Sequence, residues 1–150
     1  MIRPGGARDV PFLRDMLRHA FYWRTPVGDD PPLSRYVQGW GRPGDRAFIA
    51  IDDFLPVGAA WYRLFRADEA GFGWVDEQTP ELAIAVVPSK RGRGFGRELL
   101  DALLARARED GFHAISLSVD KQNPAVTLYE REGFERVRDE DGAWTMRALL

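Results

Sequence analysis

The chain has 150 residues, 45% of them hydrophobic and 29% charged, with a formal net charge of -2. This length and apolar content predict one domain around a single core, and the charge balance disfavours a protein that wraps nucleic acid. The lack of cysteine excludes a disulfide framework, a thiolate metal site and a cysteine nucleophile. Because no stretch resembles a secretory signal or a membrane span, we expect a soluble cytoplasmic protein.

The N-terminal part predicts one clear helix and a proline-rich loop. Apolar residues recur at helical spacing from Val10 to Phe21, and Asp9 stands where an N-cap would lie. Residues Trp23 to Pro32 predict a loop, and Leu33 to Trp40 predicts a short second helix at most. Three aromatic residues near this segment are candidates either for a pocket wall or for the core: Tyr22, Trp23 and Trp40.

Three strands are predicted in the middle of the chain. Phe48 to Ile51 and Val57 to Phe65 are rich in β-branched and aromatic residues, which predicts an antiparallel pair joined by a tight turn. After a polar stretch from Ala67 to Thr79, the run Leu82 to Val87 is almost continuously apolar. Such a run is typical of a central strand buried on both faces.

The C-terminal part continues with a helix and a strand. Leucines and alanines at helical spacing from Leu99 to Ala107 predict an amphipathic helix that ends at Gly111. The alternation from Ala114 to Val119 predicts a further strand.

A short helix and a hairpin complete the chain. Asn123 as N-cap and Pro124 at the first position predict a helix to about Glu132. Phe134 to Val137 and Trp144 to Ala148 then predict a hairpin around Asp141-Gly142. This order of elements predicts a mixed sheet with helices on both faces.

The turn before the long helix has an unusual composition for a helix start. A helix N-terminus exposes unpaired N–H groups and the positive end of the dipole, so cations are disfavoured there. This turn instead combines glycines with basic side chains, a conflict that a bound anion removes. We predict a pyrophosphate site, with a solvated basic loop as the alternative. The candidate binding residues are Arg91, Gly92, Arg93, Gly94, Phe95, Gly96 and Arg97.

Two other phosphate-binding patterns do not fit this turn. A dinucleotide fingerprint counted from Gly92 requires glycine where Arg97 stands. A Walker A loop requires Lys and then Ser or Thr after its second glycine, and these residues are missing.

Two stretches resemble the motifs of the GCN5-related N-acetyltransferase (GNAT) superfamily. The strand Leu82 to Pro88, followed by Arg91-x-x-Gly94-x-Gly96 at the start of a leucine-rich helix, resembles its acetyl-CoA signature. Asn123 to Phe134, with Asn opening a helix, Tyr on it and Gly-Phe closing it, resembles its second motif. The likeness covers about Glu81 to Val137. It implies an α/β (α+β) fold with a mixed, mostly antiparallel twisted sheet of six to seven strands.

The resemblance also implies a mechanism. Amine and acetyl-CoA bind together and the amine attacks the thioester directly, in agreement with the absence of cysteine. The cofactor arm is expected to pair with backbone groups of Ala85, Val86 and Val87, where the family carries a bulge. The N–H of Ala85 or Val86 would stabilise the oxyanion. Tyr129 occupies the general-acid position, with packing as the alternative role. Asn123 would bond the cofactor arm or only cap the helix.

The general base implied by the resemblance is Glu81, at the start of the central strand. A slip of one residue in strand register would reverse the side on which it lies. Asp76, Glu77 and His19 are alternatives, as is an ordered water chain.

The expected activity is transfer of an acetyl group to a primary amine of a small molecule or a peptide N-terminus. One rival function is a non-catalytic acyl-CoA sensor, and another is a nucleic-acid contact through Arg91 to Gly94. We expect no metal, nucleic-acid or membrane partner, and the sequence leaves a homodimer open.

Overall fold

A computed structural model describes residues 1–21 and 33–150. Within them the chain forms three α-helices and seven strands. The helices are α1 (Val10–Ala20), α2 (Phe95–Glu109) and α3 (Ala125–Arg131). The strands are β1 (Ile2–Pro4), β2 (Arg46–Asp52), β3 (Leu55–Arg63), β4 (Glu81–Val86), β5 (Ala114–Asp120), β6 (Phe134–Glu140) and β7 (Ala143–Leu149).

The strands form one sheet in the order β1-β2-β3-β4-β5-β7-β6. All neighbours are antiparallel except β4 and β5, which are parallel. The predicted mixed, mostly antiparallel sheet of six to seven strands is therefore confirmed. The central position predicted for Leu82 to Val87 is also confirmed, because β4 lies between β3 and β5.

The parallel pair opens soon after it begins. Glu81 and Ser116 are the paired residues, and the Ser116 N–H donates to the Pro80 carbonyl oxygen at 3.0 Å. Towards their carboxyl ends, β4 and β5 separate and form the two sides of a cleft. The fold thus places a gap in the middle of its sheet.

Both faces of the sheet are covered by helices, as predicted. Leucines of α2 and apolar side chains of α3 pack on one face with Leu82 and Ile115, and we call this the α2 face. Apolar side chains of α1 pack on the other face with Ala83 and Ala85, which we call the α1 face. Side chains alternate along each strand, so neighbouring residues of β4 serve opposite cores.

Three local details go beyond the predictions or refine them. Strand β1 was not predicted, because three residues are too few for a periodic pattern. The second helix is a single 3-10 turn, Leu33–Tyr36. Asp9 is the N-cap residue of α1, as predicted, but its carboxylate accepts no hydrogen bond from the helix. It accepts instead from Arg3 at 2.7 Å and from the Gly6 N–H at 2.8 Å.

A buried ion pair fixes the segment after the 3-10 turn. Arg63 binds Asp45 through two nitrogens, at 3.0 and 2.8 Å, and both side chains are almost completely buried. The same guanidinium donates to the carbonyl oxygens of Arg35 and Gln38 and lies 5.4 Å from the centre of the Trp40 ring. Trp40 therefore packs against a cation rather than in the cleft.

No helix in the described part of the chain is long and apolar enough to cross a membrane.

Candidate active site

The cleft between β4 and β5 has a volume of about 440 Å³ and continues from the α2 face to the α1 face. Residues of β4 and β5 form its side walls. At the α2 face, the turn before α2 and helix α3 border it, and at the α1 face the last residues of α1 do so. Six of the predicted cofactor-binding residues line it: Ala85, Val86, Arg91, Gly92, Gly96 and Asn123.

The turn before α2 presents a row of unpaired backbone N–H groups. Gly92 and Gly94 have φ values of 78° and 87°, in the left-handed region that favours glycine. Gly94 is the N-cap of α2, and no side chain caps the helix. Among the described residues, no acceptor contacts the N–H groups from Gly92 to Arg97. The turn therefore fits a pyrophosphate.

The basic side chains of the turn divide into two groups. Both Lys90 and Arg93 approach Oδ2 of Asp52: Nζ of Lys90 lies 2.9 Å from it and Nη1 of Arg93 lies 3.8 Å from it. The hydrogen bond from Lys90 lowers the pKa of Asp52, with burial opposing and the nearby positive charges assisting. Arg91 lines the cleft, and its Nε donates to the Val86 carbonyl oxygen at 3.1 Å. Arg91 is therefore the basic side chain of the turn that lines the cleft.

The pairing of β3 with β4 decides which backbone groups face the cleft. The Val87 N–H donates to the Val57 carbonyl oxygen at 2.8 Å, and the register runs from Val86 back to Glu81 without a shift. The bulge implied near Ala85 to Val87 is therefore not part of this pairing. Because antiparallel pairs alternate, Ala85 and Val87 direct their N–H groups to β3, while Ile84 and Val86 direct theirs to the cleft.

Tyr129 lines the cleft from α3. Its side chain is 6% exposed and its ring makes an edge contact with Phe134, at 5.7 Å between centroids. Within residues 1–21 and 33–150, no group accepts a hydrogen bond from the Tyr129 hydroxyl. Burial raises the pKa of Tyr129 well above its ordinary value, so the phenol stays protonated at neutral pH.

Asn123 and Phe95 have structural contacts as well. The Asn123 side-chain oxygen accepts from the Ala125 N–H at 2.9 Å, which caps α3, while the residue also lines the cleft. Pro124 is the residue before the helix rather than its first residue. Phe95 packs against the α2-face core, and Arg97 lies 3.9 Å from Asp101.

Glu81 lies on the α1 face, next to the cleft rather than in its lining. Its side chain is 1% exposed, and the Tyr36 hydroxyl donates to it. The same hydroxyl accepts from the Phe72 N–H at 2.8 Å. A Cβ on Gly71 would lie 2.4 Å from a Glu81 carboxylate oxygen, so the loop packs directly on this carboxylate.

The other candidate bases differ in position. His19 lines the cleft at the end of α1 and is half-buried. Asp76 and Glu77 instead accept hydrogen bonds from backbone N–H groups within their own exposed loop. Tyr22 and Trp23 lie outside the described residues. No group of three His, Asp or Glu side chains within the described ranges is placed to hold a metal.

The sequence profile of the Acetyltransferase (GNAT) family matches residues 10–134. The chain belongs to the GNAT acetyltransferase family. The resemblance read from the sequence is confirmed, and with it the activity of this family, the transfer of acetyl groups from acetyl-CoA. Membership of this family disfavours the rival function of a non-catalytic acyl-CoA sensor.

Named relatives agree with this assignment. The chain is 32% identical over 139 residues to mycothiol acetyltransferase of Rhodococcus jostii, covering 87% of this chain. It spans only 44% of that protein's length. It is 31% identical over 141 residues to the L-methionine sulfoximine/L-methionine sulfone acetyltransferase of Pseudomonas aeruginosa, covering 89% of this chain and 79% of that protein.

Solved GNAT structures share the fold along the whole chain. Ribosomal-protein-alanine N-acetyltransferase from Brucella melitensis superposes with a TM-score of 0.74 at 25% identity, covering 100% of this chain and 99% of that one. The yncA protein of Salmonella typhimurium, solved with its cofactor acetyl-CoA, gives 0.74 at 23% identity, covering 100% and 93%. The latter likeness concerns the fold alone.

The cleft residues that sequence reasoning missed include Ile84 and Ser118. Ile84 contributes a backbone group, which only the observed β3 register assigns to the cleft. Ser118 lines the cleft from β5, and the alternation Ser116-Leu117-Ser118 was its available signal, since it predicts polar side chains on one face of a strand.

Proposed function

We propose that this GNAT enzyme acetylates the primary amine of a small molecule in a ternary complex, with Tyr129 as general acid and Glu81 as general base. The observation that carries the proposal is the Tyr129 hydroxyl, which is protonated and borders the cleft without an acceptor among the described residues. Burial makes the phenol a weaker acid, so the proposal rests on its position beside the cleft, from which it can donate a hydrogen bond and then its proton to the leaving sulfur.

Each part of the cleft has a role in this proposal. Acetyl-CoA supplies the activated acetyl thioester. The N–H groups from Gly92 to Arg97, with Arg91, bind its pyrophosphate. The Val86 N–H faces the cleft and stabilises negative charge that develops on the acetyl oxygen. As the C–N bond forms and the C–S bond breaks, Tyr129 gives its proton to sulfur and Glu81 takes one from nitrogen.

The acceptor is proposed to enter at the α1 face. Tyr129 and the turn border the cleft at the α2 face, whereas His19 and Phe21 border it at the α1 face. A small amine fits the limited volume, and relatives named for methionine sulfone and for mycothiol support this class. A peptide N-terminus remains the alternative acceptor. A cytoplasmic location, where acetyl-CoA is available, belongs to the same proposal.

The test combines an acceptor screen with one variant. Purified protein is incubated with acetyl-CoA and amino acids, L-methionine sulfone, amino sugars or short peptides, and thiol release is followed. With the best acceptor, Tyr129→Phe should lower kcat by about tenfold or more and leave acetyl-CoA affinity unchanged. Tyr62→Phe is the matched control, because Tyr62 is also buried but binds Asp110 instead.

Two results would contradict the proposal. Wild-type turnover by Tyr129→Phe, under conditions where chemistry limits the rate, would make Tyr129 a packing residue. An isolated acetyl-protein, or parallel initial-rate plots, would exclude direct attack in a ternary complex.

A further inference from the structure

Three hydroxyl side chains lie together on the α1 face of β5 and β7. Ile115 and Leu117 enter the α2-face core, so Ser116 and Ser118 point to the opposite face. Thr145 on β7 is directly opposite Ser118. Ser116 is fully buried, Thr145 is 1% exposed and Ser118 lines the cleft. The group therefore extends from the cleft into the interior.

These hydroxyls have no hydrogen-bond partner in the part of the chain that the structure describes. The isolated atoms are Oγ of Ser116, Oγ of Ser118 and Oγ1 of Thr145. A buried polar group left unsatisfied costs about 1–3 kcal/mol. Three such hydroxyls side by side on a packed sheet indicate that they share one bound polar molecule. A buried water fits this role, because it typically makes about three hydrogen bonds.

The register connects this cluster with Glu81. Directly opposite residues of neighbouring strands have Cβ atoms roughly 4.5–5.5 Å apart, and residues two apart on one strand are about 6.6 Å apart. Ser118 is opposite Thr145, and Ser116 is paired with Glu81 across the β4–β5 junction. One water between the hydroxyls is enough to bridge these spacings. From the cleft inwards, the spatial order is therefore Ser118, then Thr145 and Ser116, and finally Glu81.

The loop of residues 71–74 covers this cluster. A Cβ on Gly73 would lie 2.4 Å from the Leu117 carbonyl carbon and 2.6 Å from the Ser118 nitrogen, so the loop lies directly on β5. Gly71 packs on Glu81 and Tyr36 in the same way. The loop separates the hydroxyls from bulk solvent and leaves the cleft as their route to the substrate.

We propose that Ser118, Thr145 and Ser116 hold an ordered water and relay the proton of the acceptor amine from the cleft to Glu81. The inference rests on the proposed function and deepens it. The amine nitrogen gives a proton to the Ser118 oxygen, whose own proton passes to the water, and a proton of the water passes to the Glu81 carboxylate. The hydroxyls and the water end unchanged, and Glu81 carries the proton until the product leaves.

Charged and titratable groups around Glu81 come from four elements. Tyr36 of the 3-10 turn donates to Glu81. Arg63 on β3 is paired with Glu81 in the register but binds Asp45. Arg147 on β7 is opposite Ser116, and His19 of α1 borders the cleft.

The test compares two substitutions of Thr145. Thr145→Val removes the hydroxyl and keeps the branched shape, whereas Thr145→Ser keeps the hydroxyl. With the best amine of the screen, we expect Thr145→Val to lower kcat about tenfold at pH 6.5, and Thr145→Ser to stay within about twofold. The loss should shrink by pH 9, because hydroxide then competes more effectively to accept the proton that leaves nitrogen during attack. KM for acetyl-CoA should not change.

The outcomes separate the relay from the proposed function. A Thr145→Val enzyme with wild-type kcat at pH 6.5, or with the same loss at both pH values, would overturn the relay while acetyl transfer stands. If no amine is acetylated, the proposed function fails. Thermal unfolding still tests whether the hydroxyl cluster holds a water. Removing a hydroxyl that binds water should lower Tm, and a higher Tm for Thr145→Val would show that no water is held.

Discussion

The two ends of the cleft are built in different ways. At the α2 face, one continuous stretch supplies the binding groups, mainly as backbone N–H groups of the turn before α2. At the α1 face, side chains from α1, the 3-10 turn, the 71–74 loop, β4, β5 and β7 meet. The first end suits a ligand common to a whole family, while the second depends on packing between distant segments. Cofactor binding and acceptor handling should therefore respond to different mutations.

The largest effect is expected at the buried ion pair of Arg63 and Asp45, which supports the α1 face. Arg63→Met leaves Asp45 buried without its cation, which should lower the free energy of unfolding by about 3–5 kcal/mol. Urea unfolding measures this loss. Arg66→Met is the matched control, because Arg66 pairs with Asp68 at the surface and should cost at most about 1 kcal/mol. Equal losses in the free energy of unfolding would mean that the buried Arg63 pair contributes no more to stability than the surface pair.

A smaller effect, confined to the cofactor end, is expected from Gly94→Val. A β-branched residue at a φ of 87° should move the N–H groups of the turn and weaken acetyl-CoA binding by about tenfold or more. Calorimetry with acetyl-CoA measures this affinity. Gly142→Val tests backbone strain alone, since Gly142 has a φ of 84° in the β6–β7 turn. Unchanged affinity in folded Gly94→Val would remove the turn from the binding site.

The smallest effect is expected from Asp52→Asn. Removing the carboxylate that holds Lys90 and Arg93 should strengthen acetyl-CoA binding roughly two- to fivefold at low salt and less at high salt. Because Lys90 lowers the pKa of Asp52, the difference from wild type should persist at neutral pH and fade only as the carboxylate becomes protonated, below about pH 4. Weaker binding would instead mean that Asp52 positions Lys90 for the cofactor.

The same contrast explains which parts were predictable from sequence. The turn was predictable because Gly92, Gly94 and Arg91 lie close together in sequence and conflict with ordinary helix capping. The strands and helices followed from apolar periodicity, apart from the three residues of β1. Tyr129 could be placed because its helix begins at a recognisable Asn-Pro.

The α1 end was not predictable from local patterns. The contact of Tyr36 with Glu81 joins residues 45 positions apart, and no periodicity encodes it. Ser116 and Thr145 looked like ordinary strand residues until the register placed them on one face. The direction of the N–H groups of Ala85 and Val86 likewise required the pairing of β3 with β4, which sequence alone could not fix.

The brief parallel junction between β4 and β5 also bears on how the protein resists unfolding. In the described residues Glu81 and Ser116 are the only paired residues between β4 and β5, so the two halves of the sheet, β1 to β4 and β5 to β7, are otherwise held together by packing in the α2-face core. A ligand that fills the cleft would contact both halves and add to the contacts that hold them together. By mass action, a ligand at a hundred times its Kd adds about 2.7 kcal/mol to the native state. The concentration of acetyl-CoA around the enzyme would then set its lifetime as well as its rate.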